Sequence, residues 1–290
     1  MDGNDGENPA LAPGLYLVAT PIGNLRDITL RALDTLRQAD TIACEDSRVT
    51  AKLLAAHGIA TPMTPYREHN AARARPKLLA RLKEGACIAL VSDAGTPLIS
   101  DPGYKLVAAC RAAGIAVTAV PGPSAVLAAL TLSGLPTDRF QFVGFLPPRE
   151  SARRNALAAL AGTDATLVAF ESGRRLAALL GDAAAIFGPR PAAVCRELTK
   201  LHEEVSAGDL AELAGRYATN GAPRGEVVVV IAPPGDGDGA GFDDAALDDR
   251  LRDALDRESL RDAAASVARE TGLPRRRVYA RALALAGKTR

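Results

Sequence analysis

The 290-residue chain is 48% hydrophobic and 24% charged, the balance of a soluble globular protein with room for two ordinary domains, or one large domain with an appendage. Its 35 basic and 34 acidic side chains leave a net charge of +1, so no global field attracts a nucleic acid, and any such contact must come from local basic clusters. Cys44, Cys87, Cys110 and Cys195 lack a C-x-x-C pair, and His57, His69 and His202 are equally scattered, which argues for reduced core thiols and against a disulfide framework or a zinc site.

The first 13 residues are acidic where a secretory signal would be basic and lack an apolar core, so a disordered leader and a cytoplasmic protein are expected. From Gly14 onward short apolar runs alternate with longer Ala/Leu/Arg stretches, the pattern of an α/β fold. Strands are expected at 15–20, 41–45, 86–93 and 115–121, and helices at about 29–38, 47–57, 70–84 and 103–113. Gly58, Gly85 and Gly114 stop the last three helices. Strands this continuously apolar suit a mostly parallel sheet covered on both faces. The uncharged run 112–137 has the length of a membrane span, but Pro121-Gly122-Pro123 interrupts it and Thr118, Ser124, Thr131 and Ser133 add polarity. It reads as strand, turn and buried helix, with no membrane contact.

A second strand set follows at 140–146, 165–170, 192–198 and 225–231, with a basic connection beginning at the turn 147–150. High alanine content blurs helical periodicity in this half. The plan is therefore an N-terminal α/β domain over 14–134, a second over 135–232, a Gly/Pro/Asp linker over 233–245 and a helical tail over 246–290. Within the tail, Ser259 with Asp262 makes a capping-box-like start to a helix reaching about Glu270. Gly272 ends it, and Pro274 suits the first turn of another helix bearing Arg275, Arg276 and Arg277. Such a pair is either a helix-turn-helix unit for nucleic acid or a hairpin packed on the body with solvated arginines.

Four strand ends are chemically loaded: "ATPIGNL" (19–25), "SDAGTPLISDPG" (92–103), "VPGPSA" (120–125) and "FESGRR" (170–175). Ligands of open α/β sheets bind beyond the carboxyl ends of strands, so these loops are expected to converge on one crevice. A structural corner explains any one of them well and four of them poorly. No G-x-G-x-x-G follows a strand, and neither G-x-x-x-x-G-K-[ST] nor a G-x-S-x-G elbow is present. What remains is a set of Gly/Pro loops offering backbone groups, carboxylates and hydroxyls, which suits a compact zwitterionic or cationic molecule better than a polyphosphate.

"TPIGNLRDIT", "EDSRVTAKLL", "EHN", "VSDAGTPLISDPG", "PGPSA", "LPTDRFQFVGFLP" and "CRELTKLHEEV" occur in this order. Together they closely resemble the ribosomal RNA small subunit methyltransferase I family, among the tetrapyrrole-methylase-like (class III) methyltransferases. The resemblance spans about Gly14 to Ile231, and the tail also looks like that family's C-terminal unit. It implies two α/β domains with S-adenosylmethionine folded into the cleft between them, a homodimer, and 2′-O-methylation of a cytidine in the decoding region of 16S rRNA, the partner being that RNA or the small ribosomal subunit. It further implies cofactor contacts at Pro21, Asp93, Gly95, Thr96, Leu98, Ile99, Ser124, Ala125, Phe170, Glu171, Glu226 and Val227. Two positions depart from the family pattern. Arg174 stands where members usually carry a histidine, and Ser47 where threonine is common.

A ribose hydroxyl is a poor nucleophile at neutral pH, so a general base should help, by about 10²–10⁴-fold. Glu45, Asp46, His69, Glu197 and Lys200 are the candidates; Lys200 must first lose its proton. Each has a plain structural alternative: Asp46 can cap the helix at Ser47, His69 and Asn70 can cap the next, and Glu197 and Lys200 can pair with each other or with Arg196. With no Trp and 4% aromatic residues, RNA contact falls to arginines along phosphates rather than to base stacking. Arg48, Arg67, Arg73 and Arg75, then Arg149, Arg153 and Arg154, then Arg174, Arg175 and the three tail arginines are candidates. Competing readings are a class III methylase acting on a small molecule or protein, of tetrapyrrole or diphthamide type, and a non-catalytic RNA-binding assembly protein with a relict cleft.

Overall fold

The structure, a computed structural model, describes residues 10–235, 244–271 and 275–287, with the side chains of residues 244, 269 and 275–277 also outside the description. The first nine residues of the expected leader, most of the linker and the turn at Gly272 and Pro274 lie outside these residues. Contacts divide the chain into two compact units. One comprises the described residues up to Ala128 together with Glu197–Glu203; the other comprises Ala129–Arg196 and the described residues from Glu204 onward.

The first unit is a five-stranded sheet of β1 (Gly14–Val18), β2 (Thr41–Cys44), β3 (Met63–Pro65), β4 (Cys87–Val91) and β5 (Val117–Val120), in the order β3-β2-β4-β1-β5. All its pairings are parallel. Alternation along each strand feeds two cores. Tyr16, Val18, Ile42, Cys44, Ala89 and Val91 pack with Ala32 and Leu36 of α1 (Leu30–Gln38) and Leu54 of α2 (Ser47–Ala56). Leu15, Ala43, Ile88 and Leu90 face the other way, onto Leu78 and Leu82 of α3 (Ala71–Lys83) and Leu106 and Cys110 of α4 (Tyr104–Ala112). Each fully buried Leu or Ile contributes about 1.5–3 kcal/mol, so the doubly covered sheet is well anchored. Gly58, Gly85 and Gly114 follow α2, α3 and α4 with φ of 62°, 93° and 70°, the left-handed geometry that stops a helix. The short, half-exposed β3 has no apolar run to announce it, and the sequence reading left it out.

α5 (Ala125–Leu132) contains the division at Ala128. The second unit's sheet runs β6-β7-β10-β8-β9 from β6 (Phe140–Phe145), β7 (Thr166–Ser172), β8 (Pro191–Arg196), β9 (Glu204–Asp209) and β10 (Glu226–Ile231). Only β6 and β7 are parallel; the β7–β10, β10–β8 and β8–β9 pairings are antiparallel. α6 (Glu150–Leu160), α7 (Gly173–Phe187) and α8 (Leu210–Asn220) bury Leu157, Leu176, Leu179, Leu180, Leu210 and Leu213 against Leu167, Val194, Val227, Val229 and Ile231. β8 ends at Arg196, two residues short of the expected 198, because Glu197 turns to φ 49°. The tail holds three described helices, α9 (Asp244–Leu255), α10 (Leu260–Thr271) and α11 (Arg275–Gly287), around a core of Leu247, Leu251, Ala264, Val267 and Val278. Ser259 and Asp262 form the expected cap of α10, with Asp262 N donating to Ser259 Oγ at 3.3 Å. No described helix is long and apolar enough to cross a membrane.

Candidate functional site

The parallel sheet of the first unit sends all its carboxyl-terminal ends to one edge, and the loops there are tied to one another. Thr20, just past β1, and Gly95, just past β4, exchange two backbone hydrogen bonds of 2.9 Å each. Thr20 Oγ1 donates to Ser92 O at 3.3 Å, and Thr96 Oγ1 to Pro123 O at 3.2 Å, so the loops after β1, β4 and β5 form one assembly. Gly95 sits at φ 76°, and a Cβ there would lie 3.3 Å from Ile22 Cγ2. Gly122 lets the β5 loop close on Ala19, whose Cβ would be 3.1 Å from an added one. The crowded turns of 92–103 hold Leu98 and Ser100 at φ 76° and 64°, conformations that cost about 1–3 kcal/mol each outside glycine. Ser124 precedes α5, its Oγ accepting from Leu127 N at 3.4 Å. Pro21, Asp93, Gly95, Thr96, Leu98, Ile99, Ser124 and Ala125 thus all lie on this edge.

Beside them stands an acidic group. Asp93 Oδ1 accepts from Asp46 N at 2.8 Å, while Asp46 caps α2 through Arg48 N at 2.9 Å and takes the Arg48 guanidinium at 2.6 Å. Those Arg48 hydrogen bonds hold the Asp46 carboxyl far below the usual range. Arg67 donates to Glu45 O at 2.6 Å. Burial, then Asp101 and Asp93, push the Glu45 carboxyl up, and Asp101 is raised in turn, chiefly by burial. Neighbouring carboxylates pushed in opposite directions are the arrangement from which acid and base roles are made. Glu45 is therefore the better proton acceptor of the pair, and Asp46 a permanently ionised anchor. His69 lies exposed in the turn ahead of α3, whose N-cap Asn70 spends its side chain on Arg67 N and Pro65 O.

The Glu197–Glu203 segment supplies the other two base candidates to the same unit. Lys200 Nζ meets Glu197 Oε1 at 2.9 Å, which stabilises the ammonium and disfavours the neutral amine a base requires. Glu197 and Thr199 adopt φ of 49° and 66°, and Thr199 Oγ1 is buried without a hydrogen-bond partner. This loop rests on Gly23: a Cβ there would come within 2.4 Å of Lys200 Cγ and 2.9 Å of Thr199 Oγ1. Neither Gly23 nor Asp101 was singled out from sequence. The only available signal was the extra Gly in "PIGNL" and the second Asp in "SDAGTPLISDPG".

In the second unit, β7 and β10 bring the remaining cofactor candidates together, with Val228 opposite Phe170, Val227 opposite Glu171 and Glu226 opposite Ser172. The Phe170 ring packs edge-on against Phe142 and Phe145 at 4.8 and 5.6 Å. Glu171 is fully buried; its Oε1 takes Arg175 Nε and Ser172 N, each at 2.7 Å, while its Oε2 is buried with no hydrogen-bond partner. An orphaned carboxylate oxygen in such a place is a ready acceptor for a ligand's donor.

Among the arginines, Arg48, Arg73, Arg149, Arg154 and Arg174 are exposed and Arg67 is half-buried. Arg153 is a correction. Its side chain is buried, paired with Asp182 at 2.7 Å and bonded to Pro148 O at 3.3 Å, so it braces α6 on α7 and meets no phosphate. Arg275, Arg276 and Arg277 open α11, with side chains outside the described residues. No cluster of three or more metal-ligating side chains occurs among the described residues.

Comparison with known proteins agrees with this geometry. Residues 14–214 match the family described as Tetrapyrrole (Corrin/Porphyrin) Methylases, and residues 242–286 match the RsmI C-terminal HTH domain. A ribosomal RNA small subunit methyltransferase I of Mesorhizobium japonicum is 52% identical over 95% of this chain and 93% of its own length. The protein of that name from Synechocystis is 47% identical over 93% of this chain and 98% of its own. Among solved structures, uroporphyrin-III-C-methyltransferase from Thermus thermophilus is 26% identical with a TM-score of 0.55, covering 75% of this chain and 94% of that one. Diphthine synthase, 18% identical with a TM-score of 0.60 over 75% of this chain and 89% of that one, shares the fold.

Proposed function

Because the chain belongs to the ribosomal RNA small subunit methyltransferase I family, we propose that it methylates the 2′-hydroxyl of a cytidine ribose in the decoding region of 16S rRNA, using S-adenosylmethionine. The observation that carries the reading is the identity of 52% over 95% of the chain to a protein of that name, twice the 26% shared with the uroporphyrin enzyme. The site residues fit the donor. The locked loops set Pro21, Gly95, Thr96 and Ser124 along one edge, and the orphaned Oε2 of Glu171 offers an acceptor at the end of β7. When bound, S-adenosylmethionine supplies an electrophilic methyl group on a sulfonium.

The chain's own residues would do the rest. Most of the acceleration in such a displacement comes from holding nucleophile and methyl carbon in near-attack geometry, which favours a backbone already rigid before binding. Glu45, its carboxyl raised by burial, receives the ribose proton on a side-chain oxygen. Asp46 remains ionised and fixes the Arg48 and Arg67 guanidinium groups, which with Arg73, Arg149 and Arg174 are suited to phosphates. The same reading carries a cytoplasmic homodimer without a metal requirement, acting on 16S rRNA or on the small ribosomal subunit. The test is transfer of labelled methyl to unmodified small subunits, followed by mapping of the labelled nucleotide. Label on a base, on another nucleotide type, or absent altogether refutes the assignment.

A further inference from the structure

We propose that a cavity between the first turns of α3 and α4 is a phosphate subsite that takes a backbone phosphate of the RNA substrate. The inference rests on the rRNA reading for its occupant, and on the following geometry for its existence. The cavity measures about 80 Å³, room for a phosphate group. Ala71 and Ala72 of α3 line one side, and Gly103, Tyr104 and Lys105 of α4 the other, so two helix N-termini open onto the same space. Neither N-cap, Asn70 or Gly103, gives its helix a side-chain hydrogen bond, and although Ala71, Arg73 and Leu106 N donate to backbone carbonyls, the amides of Ala72, Tyr104 and Lys105 remain to bind an anion. Arg75 and Lys105 add two cations to the walls.

Tyr66 is the independent sign of a ligand. It lines the cavity at 1% exposure, and its hydroxyl is buried with no acceptor for its proton, the Arg75 guanidinium beside it being a donor only. A phenol buried in this way costs stability unless something accepts its proton, and an anion oxygen does so. Glu68 sets one carboxylate on the wall. That acceptor suits an adjoining ribose hydroxyl, which favours a diester in a chain of RNA. Tyr66 N also donates to Cys44 O at 2.7 Å, and the next residue, Arg67, holds Glu45 O at 2.6 Å. A phosphate here would anchor the strand on the same sheet edge as the candidate base.

Two variants and two readouts test this on the full-length protein. Inorganic phosphate titrated into the wild type should shift the backbone amide resonances of Ala72, Gly103, Tyr104 and Lys105 in a saturable way. Lys105→Gln and Tyr66→Phe should weaken that binding. Tyr66→Phe removes a hydroxyl whose proton has no acceptor in the protein, so it keeps the fold and separates lost binding from unfolding. In methyl transfer to rRNA, Lys105→Gln should raise KM for the RNA about fivefold and lower the log–log salt slope by about 1, with kcat and S-adenosylmethionine affinity unchanged. Amides that do not move with phosphate overturn the subsite. Amides that move while KM for RNA and the salt slope stay at wild-type values overturn RNA as its occupant and leave free phosphate. A wild type that methylates no rRNA overturns the function proposed above, while the phosphate titration still decides the cavity.

Discussion

Two glycines of one helix should respond to the same substitution with opposite signs. Gly173 opens α7 directly after the Glu171–Ser172 strand end, and Gly181 lies exposed in the middle of that helix. A Cβ on Gly181 would meet nothing within 4 Å, so Gly181→Ala should gain the helix-propensity difference, about 0.8–1 kcal/mol. A Cβ on Gly173 would lie 1.8 Å from the carbonyl oxygen of Pro223 and 2.9 Å from its carbon. The obstacle is backbone, and ordinary contact begins at 3.4 Å, so the segment before β10 would have to retreat by more than an ångström. Overpacking of this kind costs about 1–3 kcal/mol, occasionally more, which outweighs the propensity gain. Gly173→Ala should therefore be about 2 kcal/mol less stable than wild type and about 3 kcal/mol less stable than Gly181→Ala. Melting followed by circular dichroism should place the two variants about 6–12 °C apart, at 2–4 °C per kcal/mol. The displaced β7–β10 pair carries Glu171 and Glu226, so calorimetry should also show weaker S-adenosylmethionine binding in Gly173→Ala alone. Equal melting temperatures would refute the close approach of Pro223 to the β7–α7 turn.

Three further expectations concern charges. Because burial raises the Glu45 carboxyl above its ordinary 4.5, its ionisation opposes folding as the pH climbs through the raised value and does so hardly at all below 4.5. Glu45→Gln should thus melt higher than wild type at neutral pH while losing methyl transfer by about 10²-fold or more; full activity in this variant would remove Glu45 as the base. The Asp46 carboxyl is depressed, so its contribution to stability is complete above the ordinary 3.8 and disappears as pH falls through the lower folded value. Asp46→Asn should therefore be less stable than wild type at neutral pH, with the gap narrowing in acid, as denaturant midpoints across a pH series will show. Arg153→Ala removes a buried 2.7 Å ion pair but leaves Asp182 the exposed Arg154 at 3.0 Å, so it should cost about 1–3 kcal/mol without altering the salt dependence of RNA binding, whereas the exposed Arg149→Gln should do the reverse.

The sequence was informative where one residue type had one physical use. Gly58, Gly85 and Gly114 take the left-handed φ that ends a helix, and the apolar strands of the first unit do form a parallel sheet with both faces covered. It was silent where a contact joins distant positions. Gly23 matters because Leu198, Thr199 and Lys200 return to it from across the chain, and no local pattern encodes that approach. Composition misled at Arg153: an arginine beside "PPRE" looks solvated until Asp182, on the next helix, is found within 2.7 Å. β9 escaped for another reason. "EVSAGD" pairs on one side only, leaving most of its residues exposed, so it lacks the apolar run by which its neighbours were read.

Strain points to the working part of the first unit independently of any likeness. Leu98, Ser100, Glu197 and Thr199 are the described non-glycine residues with positive φ, and all four lie in two loops of that unit. At about 1–3 kcal/mol each, such conformations persist only where the surroundings over-determine them. One loop is bound to Thr20 through the paired hydrogen bonds at Gly95, and the other rests on Gly23. The turn after β1 is therefore held from both sides by backbone that would relax if released. A rigid turn of this kind suits displacement at a sulfonium methyl, where rate depends on the placement of two atoms more than on any single ionisable group. It follows that loosening either loop should lower kcat before it lowers stability, and that Thr199→Gly, which relieves the strain at φ 66° and removes a buried orphan hydroxyl, should melt no lower than wild type yet turn over more slowly.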